Sequence, residues 1–165
     1  MSVLLRTRVT EIGPEVADLA EGGVVILFAD GSDLAEITAV KAAVEAAKGK
    51  PVLISPKVGG AKLKGGKMLA ADGQLAGTPS VTVDAIALVL APAAAEMLAK
   101  DGAAVQFVMD AFGHLKAIGA TDGAKALMDK AGVEKDKGVT GLGPDFIKAA
   151  GMRFWDREPK VRMLA

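Results

Sequence analysis

The stretch HLKAIGATDGAKALM, His114–Met128, runs from an apolar segment through a tight turn into a helical pattern. On several α/β folds a strand–turn–helix junction of this kind raises a nucleophile above the sheet. The turn offers Gly119, Ala120 and Thr121, and none of them is a thiol. Thr121 has a hydroxyl, which becomes a nucleophile only with a base beside it. His114 is the single histidine of the chain. If residues 103–116 form a helix, His114 sits at its end, before the strand that leads to the turn. It is then expected at the opposite edge of the sheet from Thr121, as a structural or surface side chain.

Two carboxylates, Asp30 and Asp33, fall in the segment ADGSD. One reading has a carboxylate facing the turn. The other has Asp33 capping the following helix, worth on the order of 1 kcal/mol, and Asp30 shaping the loop. Gly59, Gly60, Gly65 and Gly66 suggest a phosphate loop, but their spacing fits neither GxxxxGK[ST] nor GxGxxG between strand and helix. A hairpin accounts for them better. GVTGLGPD, Gly138–Asp145, precedes a helix and could hold an anion there, but no strand is legible before it.

The absence of cysteine removes disulfides, thiolate metal sites and cysteine catalysis together. One histidine and scattered carboxylates make no metal cluster, so neither metal nor cofactor is expected. In RFWDREPKVR, Asp156 and Glu158 interrupt the basic residues. Phe154 and Trp155 there suit anchoring against a body or partner better than nucleic acid.

These residues need elements to hold them. GVVILFADG, from Gly23, reads as a strand buried on both faces, as in a parallel sheet. A helix is expected over 34–48, with Leu34, Ile37, Val40 and Val44 on one face, Ser32 or Asp33 as its cap and Gly49 at its stop. Strands follow at Lys50–Lys57 and Asp84–Pro92, with a hairpin around Gly65-Gly66 between them. Helices are expected after Pro92, over 103–116, over 122–132 and over 143–151, where Pro144 suits a first turn. AIGA, 117–120, is a short strand. The alternation predicts an α/β fold: a flavodoxin-like three-layer α/β/α sandwich with a mainly parallel sheet and a small β-hairpin. Ligands in such folds sit at the strands' carboxyl ends, here ADGSD, LAPAAAE and IGATDG.

The 165 residues suit one sizeable core, and an apolar content of 51% places the chain among globular proteins. The organisation expected is an N-terminal arm or linker over 1–22, a domain over 23–152 and a C-terminal tail over 153–165. Twenty basic and twenty acidic residues balance, which favours neither nucleic acid nor an anionic membrane as partner and permits a homo-oligomer. The first residues are too polar for a signal peptide and no run is long enough to span a membrane, so a cytoplasmic protein is expected.

VVILFADGSD, GGKMLAADGQLAGTPSVTVDAIALVLAP, FVMDAFGHLKAIGATDGAKALMDKAGV and RFWDREPKVR together resemble the C-terminal domain of large-subunit haem catalases. That domain is similar in fold to class I glutamine amidotransferase-like proteins of the PfpI type. The resemblance covers roughly Gly23–Arg162. It implies that Gly119 stands where the superfamily has its catalytic Cys, and Ala120 where a His often follows. Asp33 matches the acidic partner at best, and Ala93-Ala94 replace a Gly-Gly used for oxyanion stabilisation. It further implies a non-catalytic domain, without haem, that supports folding and stability and acts as a chaperone, with a catalase core or partly unfolded client proteins as partners. No catalase core fits in this length beside it, so the chain is a stand-alone relative or an excised domain. Two other functions compete: a divergent hydrolase or glyoxalase-like enzyme using Thr121 or Asp33, and a small-molecule binding module in the strand-end crevice.

Overall fold

The computed structural model describes residues 23–75, 83–152 and 154. The arm over 1–22, part of the DGQLAGTPSVTVDA segment and most of the tail, with Trp155, Asp156 and Glu158, lie outside them.

The apolar run after Gly22 forms β1 (Gly23–Phe28), buried along nearly its whole length. Helix α1 (Leu34–Ala46) returns the chain to β2 (Lys50–Ser55). A hairpin of β3 (Ala61–Lys62) and β4 (Met68–Leu69) leads to β5 (Gly73–Gln74). Then come β6 (Ala85–Val89), α2 (Pro92–Leu98), α3 (Gly102–Gly113) and β7 (Ala117–Ala120). A 3-10 turn (Asp122–Ala124) runs into α4 (Lys125–Lys130), followed by β8 (Val139–Thr140) and α5 (Pro144–Ala150).

The sheet has the order β5-β2-β1-β6-β7-β8 with every neighbouring pair parallel. The antiparallel pair β3-β4 stands apart from it. Helices cover both faces. Ile37, Val40 and Val44 of α1 and Phe146 and Ile147 of α5 pack on Val24, Ile26 and Phe28 of β1. Leu98 of α2, Phe107 and Val108 of α3 and Leu127 of α4 pack on the opposite face, with Val25 and Leu27. Burial of one such side chain stabilises by about 1.5–3 kcal/mol, which is why β-branched residues continue without polar alternation through β1 and β6. This is the flavodoxin-like sandwich with a small hairpin expected from the alternation of elements. From β5, at the edge beyond β2, the chain returns past β2 and β1 to β6, so the strand order reverses between β1 and β6.

Several boundaries differ from the sequence reading. α1 stops at Ala46, and Lys48, not Gly49, takes the left-handed conformation (φ 68°). The Gly49 N–H reaches the Val44 carbonyl at 2.8 Å and the Lys48 N–H that of Glu45 at 3.0 Å, which closes a Schellman cap. α3 ends the same way at Gly113. Leu115 has φ 65°, its N–H reaches Phe112 and that of Lys116 reaches Ala111. Leu115 and Lys116 therefore leave the helix that the apolar spacing extended to 116. The reason is burial: the reversal drops Leu115 into the core at 8% exposure and sends Lys116 inward, its Nζ donating to the Val83 carbonyl. β5 and β8 were not legible. β8 supplies the strand before GLGPD that sequence pattern did not reveal.

Candidate functional site

The ends of β1, β6 and β7 lie side by side, so their following loops share one end of the sheet. A turn that presents a nucleophile stores strain, commonly as a positive φ. None exists here. β7 stays extended through Ala120, Thr121 has φ −75° and ψ 161°, and Gly119 has no positive φ. Gly119 is a body residue of the strand, and a Cβ built on it would lie 2.4 Å from Phe146 Cδ1. Phe146 is fully buried on α5. The space of a side chain at position 119 is thus filled by an aromatic ring from the helix behind it. Ala120 faces the opposite layer, among the residues packed with α2 and α3.

The Thr121 hydroxyl is engaged with β6. It donates to the Leu90 carbonyl at 2.9 Å and accepts the Leu90 N–H at 3.2 Å. The Thr121 N–H donates to Leu88 at 3.0 Å, so the side chain replaces the next rung of the ladder. Gly123 lets the 3-10 turn press on that end, since a Cβ there would lie 2.4 Å from the Leu90 oxygen. His114 is the C-cap of α3, exposed, at the amino end of β7 and so at the other end of the sheet from Thr121.

A second hydroxyl, expected with Asp33 as an alternative helix cap, closes the β1–β6 side. Ser32 is 1% exposed. Its Oγ accepts the Ala29 N–H at 3.0 Å and donates to the Val89 carbonyl at 2.5 Å. The cap of α1 is Asp33, whose carboxylate accepts the Ala35 N–H at 2.9 Å. Asp30 holds the hairpin instead. One oxygen accepts the Lys62 N–H at 3.0 Å and the other the Lys57 ammonium at 3.2 Å, while the Gly31 N–H reaches the Lys62 carbonyl at 2.9 Å. The Lys62 N–H above all, then Lys57, holds the Asp30 carboxyl below its ordinary range.

Three of the four loop glycines, Gly60, Gly65 and Gly66, serve this hairpin. Gly65 and Gly66 turn it at φ 93° and 94°, and Gly60 touches the β4 backbone so closely that a Cβ would lie 1.9 Å from the Leu69 oxygen. Among the described residues no three His, Asp or Glu side chains gather into a group able to hold a metal ion. The GLG segment after β8 leads into α5, with Leu142 packed against the Phe146 layer.

Beside these contacts lies a cleft of about 270 Å³, above the ends of β2, β1 and β6. Ala93, Ala94, Met97 and Leu98 of α2 face Ala29, Asp30, Pro56, Lys57, Gly60 and Ala61 across it, with Asp101 at its edge. Asp30, Ala93 and Ala94 are brought together here. Asp33, Gly119, Ala120, Thr121 and His114 are not among its walls. Sequence pattern does not single out Phe146, and it offers Ser32 only as a helix cap. A glycine inside the strand AIGA is the signal that a close approach occurs there, but it does not name the partner.

A parallel sheet of this order, with its switch point between β1 and β6 and a hairpin after β2, is similar in fold to solved DJ-1/ThiJ/PfpI-like structures. The chain superposes on Drosophila melanogaster DJ-1beta with a TM-score of 0.67 at 14% identity, covering 87% of this chain and 96% of that one. A two-domain protein from Anabaena variabilis with DJ-1/ThiJ/PfpI-like and ferritin-like domains gives 0.61 at 19% identity, over 70% of this chain and 34% of that one. The likeness to both is one of fold. Within this fold the chain belongs to the family of C-terminal domains found in long catalases, which matches residues 22–159. Catalase C of Rhizobium meliloti (strain 1021) is 40% identical over 147 residues, 84% of this chain and 21% of that protein. Catalase HPII of Pseudomonas putida is 33% identical over 142 residues, 82% of this chain and 19% of that protein. The chain spans about a fifth of the length of these catalases.

Proposed function

We propose that this chain is a non-catalytic domain of the catalase C-terminal type that supports protein folding and stability, binding partly unfolded chains or a catalase core. The observation that carries the reading is the state of the fold's usual catalytic positions. Phe146 occupies the space beside Gly119, Leu90 holds both hydrogen-bonding functions of Thr121, and Ala35 takes Asp33 as its cap. The chain's single imidazole, His114, sits at the far end of β7 from the Thr121 hydroxyl.

A surface able to meet varied apolar segments supports the binding half. The exposed large apolar side chains among the described residues are Val58, Met68, Met97, Met109 and Met152. Four of these are methionines, whose unbranched, polarizable side chains adapt to different partners. The non-catalytic half is tested by turnover of p-nitrophenyl esters and of methylglyoxal, in wild type and Thr121→Ala. The expected result is background rate in both. A wild-type rate that Thr121→Ala abolishes would overturn it in favour of a divergent hydrolase or glyoxalase-like enzyme.

A further inference from the structure

The cleft over β2, β1 and β6 takes in Asp30, Ala93 and Ala94 but none of Asp33, Gly119, Ala120 and Thr121. Its floor is apolar and small: Ala29, Ala61, Ala94 and Leu98 are each at most 7% exposed. Met97, 74% exposed, forms a flexible wall. The volume of about 270 Å³ compares with the roughly 150 Å³ of an apolar cavity that takes benzene. It suits a compact organic molecule, at the small end of ordinary ligand sites.

The charged groups fix the sign. Lys57 is paired with Asp30 at 3.2 Å. Asp101 uses one oxygen, Oδ1, to cap α3 through the Ala103 N–H at 2.9 Å, and its second oxygen has no hydrogen bond among the described residues. The three charges leave the cleft with one net negative charge, on the carboxylate that keeps an acceptor. Its place is also that in which doubly wound sheets bind ligands, the carboxyl ends at the switch point.

We infer that this cleft binds a small organic cation, an apolar body of about the size of a benzyl group carrying one protonated amine that pairs with Asp101. The inference does not depend on the support function.

The test uses three matched probes, benzylammonium, benzyl alcohol and benzoate, with amide shifts followed by NMR on the full chain. Benzylammonium is expected to shift the amides of Ala93, Ala94 and Asp101 in a saturable way, with benzoate at least tenfold weaker. Asp101→Asn keeps the helix cap and should weaken benzylammonium several-fold while leaving benzyl alcohol unchanged. Ala93→Phe, from an exposed position on the rim, should fill the cleft and remove binding of both. Equal affinity for the ammonium and the carboxylate, shifts located elsewhere, or no saturable shift for any probe would overturn the proposal.

Discussion

At Gly119 a single missing side chain decides what the strand end can do. The ring of Phe146 stands where a thiol would project, so a cysteine could enter only by displacing a fully buried aromatic. Overpacking of that kind costs about 1–3 kcal/mol. The two hydroxyls beside it are structural by the same standard, and their burial ranks them. Ser32 is 1% exposed and ties Ala29 to Val89, while Thr121 is half-buried at the β6–β7 junction. Removing Ser32 leaves an N–H and a carbonyl without partner or water, which costs about 1–3 kcal/mol; at Thr121 water compensates in part, and about 1 kcal/mol is expected. Urea unfolding should therefore place Ser32→Ala below Thr121→Val in stability. The reverse order would mean that the crevice is open to solvent at Ser32.

Legibility of these residues differed for physical reasons. Asp33 as a cap could be read because capping depends on local spacing alone. Ser32 and Phe146 could not, because their partners Val89 and Gly119 are set by which strands and helices meet in space.

Among the elements, the long buried strands announce themselves and the short ones do not. β1 and β6 are continuous apolar runs, legible because both faces are covered. β5 and β8 have two residues each, too few for a periodic pattern, and exist because a neighbouring strand is there to pair with. The two helix ends make a paired test. Lys48 and Leu115 both hold a left-handed conformation that costs an ordinary residue about 1–2 kcal/mol. Lys48 is exposed, so Lys48→Gly should raise the melting temperature. Leu115 is 8% exposed, and the lost burial of about 2 kcal/mol or more offsets the relief, so Leu115→Gly should not raise it and is expected to lower it. Thermal melts decide both, and a rise at Leu115 would show that its side chain contributes little to the core.

The hairpin is held to β1 through Asp30. Because the folded-state pKa of Asp30 is lowered, its contribution is present above the ordinary carboxylate value of about 4 and is lost as pH falls through the lowered pKa. The side chain is 56% exposed, so the effect stays below about 1 kcal/mol. Asp30→Asn should be slightly less stable than wild type near neutrality, with the difference closing in acid. A difference that is constant across the acid range would mean the carboxylate's charge is not what holds the hairpin.

For the molecule as a whole, the fold class and the family were readable from the alternation of elements and from segments such as HLKAIGATDGA. The cleft was not, since its walls come from the loop after β1, the segment from β2 into β3, α2 and the cap of α3. The family relation places a domain of this kind at the C-terminus of long catalases, and the proposed role is to keep protein chains folded rather than to turn over a substrate. The exposed methionines lie on separate elements, Met68 on β4, Met97 on α2 and Met109 on α3. Such a distribution suits several weak contacts with an irregular partner better than one deep interface.

The most direct measurement is light scattering from a heat-labile client protein warmed with this chain, with serum albumin at equal mass as the control for crowding. The account predicts suppression of aggregation at a near-stoichiometric ratio, beyond the albumin control. Scattering that matches the albumin control even when this chain is in excess would contradict a folding-support role for the domain.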